Sequence, residues 1–213
     1  MVRPRFAKLP VHQQQTIVQA ALDEFAAHGF RDASLNRIIE TAGISKGSLY
    51  YYFDDKSDLF AYVAQAGLGG LFEKVGPLPP LDAGDADTFW SVVEDYYLRL
   101  TRALQASPQV AALLRGWSAA AKDPEFQRAT GELEEASLPW IAQALAAGQR
   151  VGAVRADLPD SLLIAVTLGI GEAMDVWLLA QEPHDDALPD VIAALVDMLR
   201  RAVGPGAASG APG

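Results

Sequence analysis

The chain of 213 residues contains no cysteine, which excludes disulfides, thiol nucleophiles and thiolate metal sites together. Histidine is nearly as scarce. His12, His28 and His184 are the three present and lie far apart, so neither a metal nor any other cofactor is expected. A long charge-free apolar run is also missing. The most apolar stretch, Leu162 to Ala180, is uncharged only as far as Gly171, before Glu172 and Asp175 interrupt it. That falls short of the ~20 residues a bilayer span needs, and an Asp near the centre adds roughly 3 kcal/mol against insertion. The first residues, MVRPRFAKLPVHQQQ, are basic without the apolar core of a secretion signal. These absences predict a cytoplasmic protein with no membrane partner.

What is present is apolar and unevenly charged. Half of the residues are hydrophobic, enough to bury one compact domain or two small ones and to exclude disorder throughout. The net charge of −10 argues at first against nucleic acid as a partner. Residues 1–60, however, carry seven basic side chains (Arg3, Arg5, Lys8, Arg31, Arg37, Lys46, Lys56) against seven acidic ones (Asp23, Glu24, Asp32, Glu40, Asp54, Asp55, Asp58). Seven minus seven is zero, so the whole −10 lies beyond residue 60. A near-neutral N-terminal module can approach phosphates, and the acidic remainder repels them.

Helical periodicity runs through the chain. Ile17, Ala20, Ala21 and Phe25 give a first helix over Gln13 to His28, closed by Gly29. Ser34 caps a second helix with Leu35, Ile38 and Ile39 on its buried side, although Arg37 stands where a capping box has an acid. Gly43 breaks the chain, Ser45 caps a short third helix carrying Leu49, and a fourth runs from Lys56 to about Val75. Pro77, Pro79 and Pro80 then forbid helix. Further helices are predicted over Asp87 to Ala106, Pro108 to Lys122, Asp123-Pro124 toward Arg150 with a kink at Pro139, Asp160 to Gln181 and Pro189 to Val203. No window alternates like a strand. The expected fold is all-α, an N-terminal three-helix module joined to a larger C-terminal helical bundle. The expected domains are 1–55 and 56–203, with 204–213 a disordered tail.

Residues 34–56 read SLNRIIETAGISKGSLYYYFDDK: a capped helix, a glycine turn, then a short helix whose outer side is small, hydroxylic and aromatic. This is the logic of a helix-turn-helix. Gly47 and Ser48 let backbone approach a groove, Ser45, Ser48, Tyr50 and Tyr51 can donate to phosphates or base edges, and Lys46 can reach a guanine. At Lys56 an ammonium meets the positive end of a helix. Ile38, Leu49, Phe53 and Tyr52 read instead as the core holding the three helices.

The string from Gly43 to Phe53, with Lys56 and Leu59-Phe60 after it and Phe25, Gly29-Phe30 and Ser34 before it, resembles the DNA-binding signature of the tetracycline-repressor (TetR) family over about residues 12–63. The resemblance implies DNA contacts from Ser34, Asn36, Ser45, Lys46, Gly47, Ser48, Tyr50, Tyr51 and Lys56. Tyr51 departs from the family's common histidine and Asn36 from its frequent charged residue, so base preference does not transfer. Arg3, Arg5 and Lys8 form either a minor-groove arm or an unstructured basic tail.

A module of about 60 residues needs no large companion to touch one half-site. The remainder is expected to supply dimerisation, sensing or both. The apolar helices Leu162–Ala180 and Val191–Val203 are the expected homodimer surface, a four-helix bundle across a two-fold axis. Ala165, Gly169 and Ala173 form either part of that surface or an internal core seam. For an unknown small-molecule effector the candidates are Trp90, Tyr97, Trp117, Trp140, Glu172 and Asp175, the aromatics for their rigid area and the two acids because carboxylates in an apolar helix need a partner, such as Arg115, a ligand or water. The resemblance implies a transcriptional regulator, not an enzyme: a repressor leaving a palindromic double-stranded operator when its effector binds. A ligand-independent regulator or activator is the alternative with the same module, and a helical-bundle enzyme or lipid carrier is the alternative of another class.

Overall fold

The computed structural model describes residues 5–82, 84–120, 124–181 and 183–206. Among these the chain forms a 3-10 turn, Phe6–Lys8, and nine α-helices with no strand. The helices are α1 (Val11–Asp32), α2 (Leu35–Ala42), α3 (Lys46–Tyr52), α4 (Lys56–Val75), α5 (Ala86–Gln105), α6 (Pro108–Ala120), α7 (Pro124–Arg150), α8 (Asp160–Gln181) and α9 (Leu188–Val203). Arg3, Lys122, Asp123 and tail residues 207–213 lie outside the described residues.

The termini of the first helices follow local chemistry. Gly29 holds φ 67° and ψ −179°, a combination open essentially to glycine, so it breaks the helical path within α1 rather than ending it, and Phe30 to Asp32 make one more turn. Ser34 caps α2, its Oγ accepting from the Arg37 N–H. Gly43 closes α2 in the left-handed conformation (φ 64°, ψ 31°), where a side chain would be strained. The Ser45 Oγ accepts from the Ser48 N–H at 3.0 Å and caps α3. At α4 the caps are carboxylates: Asp55 accepts from the Asp58 N–H at 2.8 Å, and Asp58 accepts in return from the Asp54 N–H at 3.1 Å.

The chain divides into two compact units. The first comprises Met1–Lys74 with Leu104–Glu135, the second Val75–Ala103 with Ala136–Gly213. This division by packing does not fall at the expected boundary between 55 and 56, because Leu59, Phe60 and Val63 of α4 are fully buried in the core that Ile38, Leu49 and Phe53 share. That core is rich in rings. Phe60 meets Phe25 and Phe30 edge-on and Phe126 at a tilt, at centroid separations of 5.0, 5.4 and 5.1 Å, and aromatic pairs add about 0.5–1.5 kcal/mol each beyond area burial.

The second unit has its own core, in which Phe89, Trp90, Ile141, Leu163, Leu178, Leu188, Ile192 and Val196 are buried. The Trp90 indole N–H donates to the Ala153 carbonyl at 3.3 Å. Helix α8 is long and apolar enough to cross a membrane by length and composition, and most of its apolar stretch is not buried within the chain. Glu172 and Asp175 interrupt charge-free sequence but not the helix, so the run judged too short from sequence belongs to a longer apolar element. Ala165, Gly169 and Ala173 are exposed on α8, which removes the reading of these three as an internal core seam.

Candidate nucleic-acid interface

The periodicity that buries Leu49 turns Lys46, Gly47, Tyr50 and Tyr51 of α3 outward. Ser45, Lys46, Gly47, Tyr50 and Tyr51 are exposed and Ser48 is half-buried. A Cβ on Gly47 would meet nothing nearer than the Ser45 hydroxyl at 3.8 Å, so the backbone there is open to close approach. The Ser45 and Ser48 hydroxyls lie 2.8 Å apart and form one polar patch at the start of α3. Asn36 is exposed on α2, and Ser34 is half-buried beside it. The outward side of this segment is thus small, hydroxylic and aromatic. Tyr52 falls to the inner side as expected, half-buried and edge-on to Phe6 at 5.7 Å.

Lys56, expected to meet a phosphate at the start of α4, also has partners within the chain. It does start α4, but its ammonium turns back on the end of α1. It donates to the Arg31 carbonyl at 2.9 Å and the Ala33 carbonyl at 3.5 Å, and lies 4.9 Å from the centre of the Phe30 ring. The last carbonyls of α1 attract a cation, and this one ties α1 to α4. Two of three ammonium donors are thereby engaged, leaving one for a phosphate.

Sequence reasoning missed Glu24. It is buried on the inner face of α1, 9% exposed, and accepts from the Arg37 Nε with both carboxylate oxygens, at 2.9 and 3.0 Å, while its Oε1 also accepts from the Ser34 N–H at 2.7 Å. The Arg37 Nη2 joins the same carboxylate and the Asp32 carbonyl. The Arg37 hydrogen bond holds the Glu24 carboxyl below its ordinary value, against the opposing pull of burial. Arg37 therefore serves the α2 N-terminus by pinning it to α1. The available signal was Glu24's place between the apolar Ala20, Ala21 and Phe25.

The six expected effector residues do not form one cluster. Trp117 lies in the first unit, packed on Phe60 and Phe126 at 6.1 and 5.3 Å. Trp90 is core of the second unit, Trp140 is 53% exposed and Glu172 is exposed. Tyr97 and Asp175 do meet: the phenol donates to the Asp175 carboxylate at 2.5 Å. Although Asp175 as a residue is exposed, loss of water around its carboxyl pushes the pKa up, opposed by the Tyr97 hydrogen bond; burial beside that carboxylate drives the phenol's pKa far up. A separate cleft of about 250 Å³ in this unit is lined by Trp90, Ala153, Arg200 and Arg201, below the range of typical ligand pockets. Arg200 is paired there with Asp87 and Arg201 with Asp197, each at 2.8 Å.

A capped helix, a left-handed glycine turn and a short outward-facing helix over a ring-filled core define a helix-turn-helix DNA-binding protein. Residues 17–63 match the bacterial regulatory proteins of the tetR family. Similarity extends further than that module. The HTH-type transcriptional repressor AcnR of Corynebacterium efficiens is 26% identical over 196 residues, covering 90% of this chain and 95% of the relative. The probable acrEF/envCD operon repressor of Escherichia coli is 26% identical over 195 residues, 88% and 85% of the two chains. Among solved structures, a TetR family regulator from Chloroflexus aurantiacus aligns with TM-score 0.62 at 23% identity, over 97% of this chain and 100% of the other. FadR of Bacillus subtilis, in complex with stearoyl-CoA, aligns with TM-score 0.68 at 18% identity, over 89% and 98%. The module over residues 17–63 is thus that of the bacterial tetR-family regulatory proteins, and the chain as a whole is similar to transcriptional repressors built on it.

Proposed function

We propose that the protein is a homodimeric repressor that binds a palindromic operator in the cytoplasm and releases it when a small molecule binds the second unit. The observation that carries the DNA half is the exposed face of α3, with Ser45, Lys46, Gly47, Ser48, Tyr50 and Tyr51 turned out over a buried Leu49. Ser34 and Asn36 extend it along α2, and Lys56 lends its remaining donor.

The dimer half rests on α8 and α9. Leu162, Leu168, Val176 and Trp177 of α8 and Met198 of α9 are 46, 37, 42, 45 and 47% exposed, a concentration of large apolar side chains that a soluble chain covers. Exposed Ala165, Gly169 and Ala173 allow another helix to come close. A second copy seated there, with Leu162–Ala180 and Val191–Val203 from each chain, buries both faces at once and brings two copies of α3 to one operator.

Repression rather than activation is favoured by the repressor names of the relatives. An effector is favoured by the complex of the FadR relative with stearoyl-CoA and, on this chain, by the Tyr97–Asp175 pair, whose desolvated carboxylate suits a ligand more than a scaffold. The test is selection of bound sequences from random duplexes by the full chain, followed by a compound screen for release. A palindrome with half-sites about one helical turn apart is the expected result. Retention of no duplex at any salt concentration would overturn the reading.

A further inference from the structure

The turn before α1 carries cations to the edge of α3. Phe6 is 1% exposed, its ring 4.9 Å from that of Phe53 and 5.1 Å from that of Tyr62. Leu9 packs against the same core. Gln14 of α1 donates its side-chain amide to the Leu9 carbonyl at 2.8 Å and the Ala7 carbonyl at 3.4 Å. Residues 6–9 are thus fastened to the module by rings, aliphatic packing and hydrogen bonds.

Side chains three apart eclipse in a 3-10 turn, so Arg5 and Lys8, both exposed, share an edge. The Arg5 guanidinium lies over the Tyr51 ring, 4.6 Å from its centroid, and Tyr51 is steadied by Tyr52 at 5.4 Å. Stacking uses the face of the guanidinium and leaves its in-plane N–H donors for an acceptor. Among the described residues, Arg5 has no carboxylate at ion-pair distance.

We propose that Arg5, seated on Tyr51 and flanked by Lys8, is a further phosphate contact, which extends the DNA interface from α2 and α3 onto the turn before α1. The proposal rests on reading α3 as the helix that meets DNA. The fork of a guanidinium matches phosphate oxygens, and a side chain held on an α3 tyrosine reaches the backbone beside the groove that α3 enters. Because phosphates are the same in every sequence, the contact adds affinity without base preference.

The full chain and its variants are titrated against random-sequence duplexes about three helical turns long, of mixed and A·T-rich composition, over a range of salt. Arg5→Ala is expected to weaken binding several-fold on every duplex and to reduce the slope of log K against log salt by about 0.9. Arg5→Lys retains the slope. Tyr51→Leu costs less in the Arg5→Ala background than alone, since the pair acts together. Circular dichroism melting of Arg5→Ala at the native temperature excludes a folding effect, and Lys8→Ala supplies a second slope if that variant is unstable. Wild-type slope in Arg5→Ala and Lys8→Ala overturns the inference, as does weakening confined to A·T-rich duplexes, which would mean groove readout. Failure of the native chain to bind any duplex would instead overturn the reading of α3.

Discussion

Arg37 grips Glu24 with both carboxylate oxygens engaged by its Nε, and the same carboxylate takes the Ser34 N–H. One buried acid on α1 therefore fixes both the first backbone N–H of the α2 cap and the only cation in α2. Glu24→Gln keeps the shape and loses the charge-assisted bonds, worth about 1.5–3 kcal/mol for hydrogen bonds to charged groups. The expected outcome is a lower melting temperature by circular dichroism and weaker operator binding, since α2 loses its anchor.

The pH dependence of this contribution has a definite sign. Arg37 holds the folded carboxyl of Glu24 below its ordinary 4.5, so the contribution is present above the unfolded pKa and is lost as pH falls through the depressed folded value. Native protein is expected to lose more stability than Glu24→Gln between about pH 5 and 3. Urea unfolding at a series of pH values measures it, and parallel curves for the two proteins would contradict it.

Asp175 shifts in the other direction. Its folded pKa is raised above the ordinary 3.8, so the neutral acid is favoured in the fold, and stability falls as pH rises from the unfolded value through the folded one. Asp175→Asn removes that loss and still accepts from Tyr97. The variant is expected to melt no lower than native protein at pH 7, with the difference between them shrinking toward pH 3. Access of the residue to water keeps the gain below about 1 kcal/mol.

Two substitutions in the DNA-binding module separate contact from scaffold. Tyr50→Phe removes a hydroxyl from the exposed face of α3 and is expected to weaken operator binding up to about tenfold, corresponding to ~1.4 kcal/mol, with little change in melting temperature. Lys56→Ala strips a cation from the Arg31 and Ala33 carbonyls and is expected to lower both stability and affinity. Gel-shift titration at fixed salt, read beside thermal melts, tells the two patterns apart.

On α8, Gly169→Glu places a charge where a Cβ has nothing within 4 Å in the single chain. The folded chain accommodates it, and a helix of a second copy would not. Sedimentation equilibrium is expected to show a monomer with native helix content. A dimer of unchanged affinity would place the pairing surface elsewhere.

Much of this architecture was legible in the residues. Ser34, Gly43 and Ser45 announce their caps and turn because capping is local chemistry, readable from a side chain and its neighbours three positions on. The helices from α4 to α9 follow from apolar period and proline, and their observed ends differ from expectation by a residue or two. Partners distant in sequence were not legible. Arg37 looked like a missing capping-box acid because its partner lies 13 positions away. Lys56 reads from sequence as a DNA contact alone because the carbonyls it meets lie 23 and 25 positions upstream. The aromatic effector candidates scattered for the same reason: periodicity says that Trp90 and Trp117 are on apolar faces, not which core each face enters. Tyr97 and Asp175, 78 positions apart, were both named, and only folding revealed that they touch.

Phe6 closes over Phe53, Tyr52 and Tyr62 from outside the stretch 17–63 by which the module is recognised. A fragment trimmed to that stretch would leave three rings uncapped in water, inviting self-association and precipitation. The smallest well-behaved piece of the first unit thus begins upstream of Phe6, and a bulky fusion partner attached directly ahead of it would crowd the very edge that Tyr51 presents.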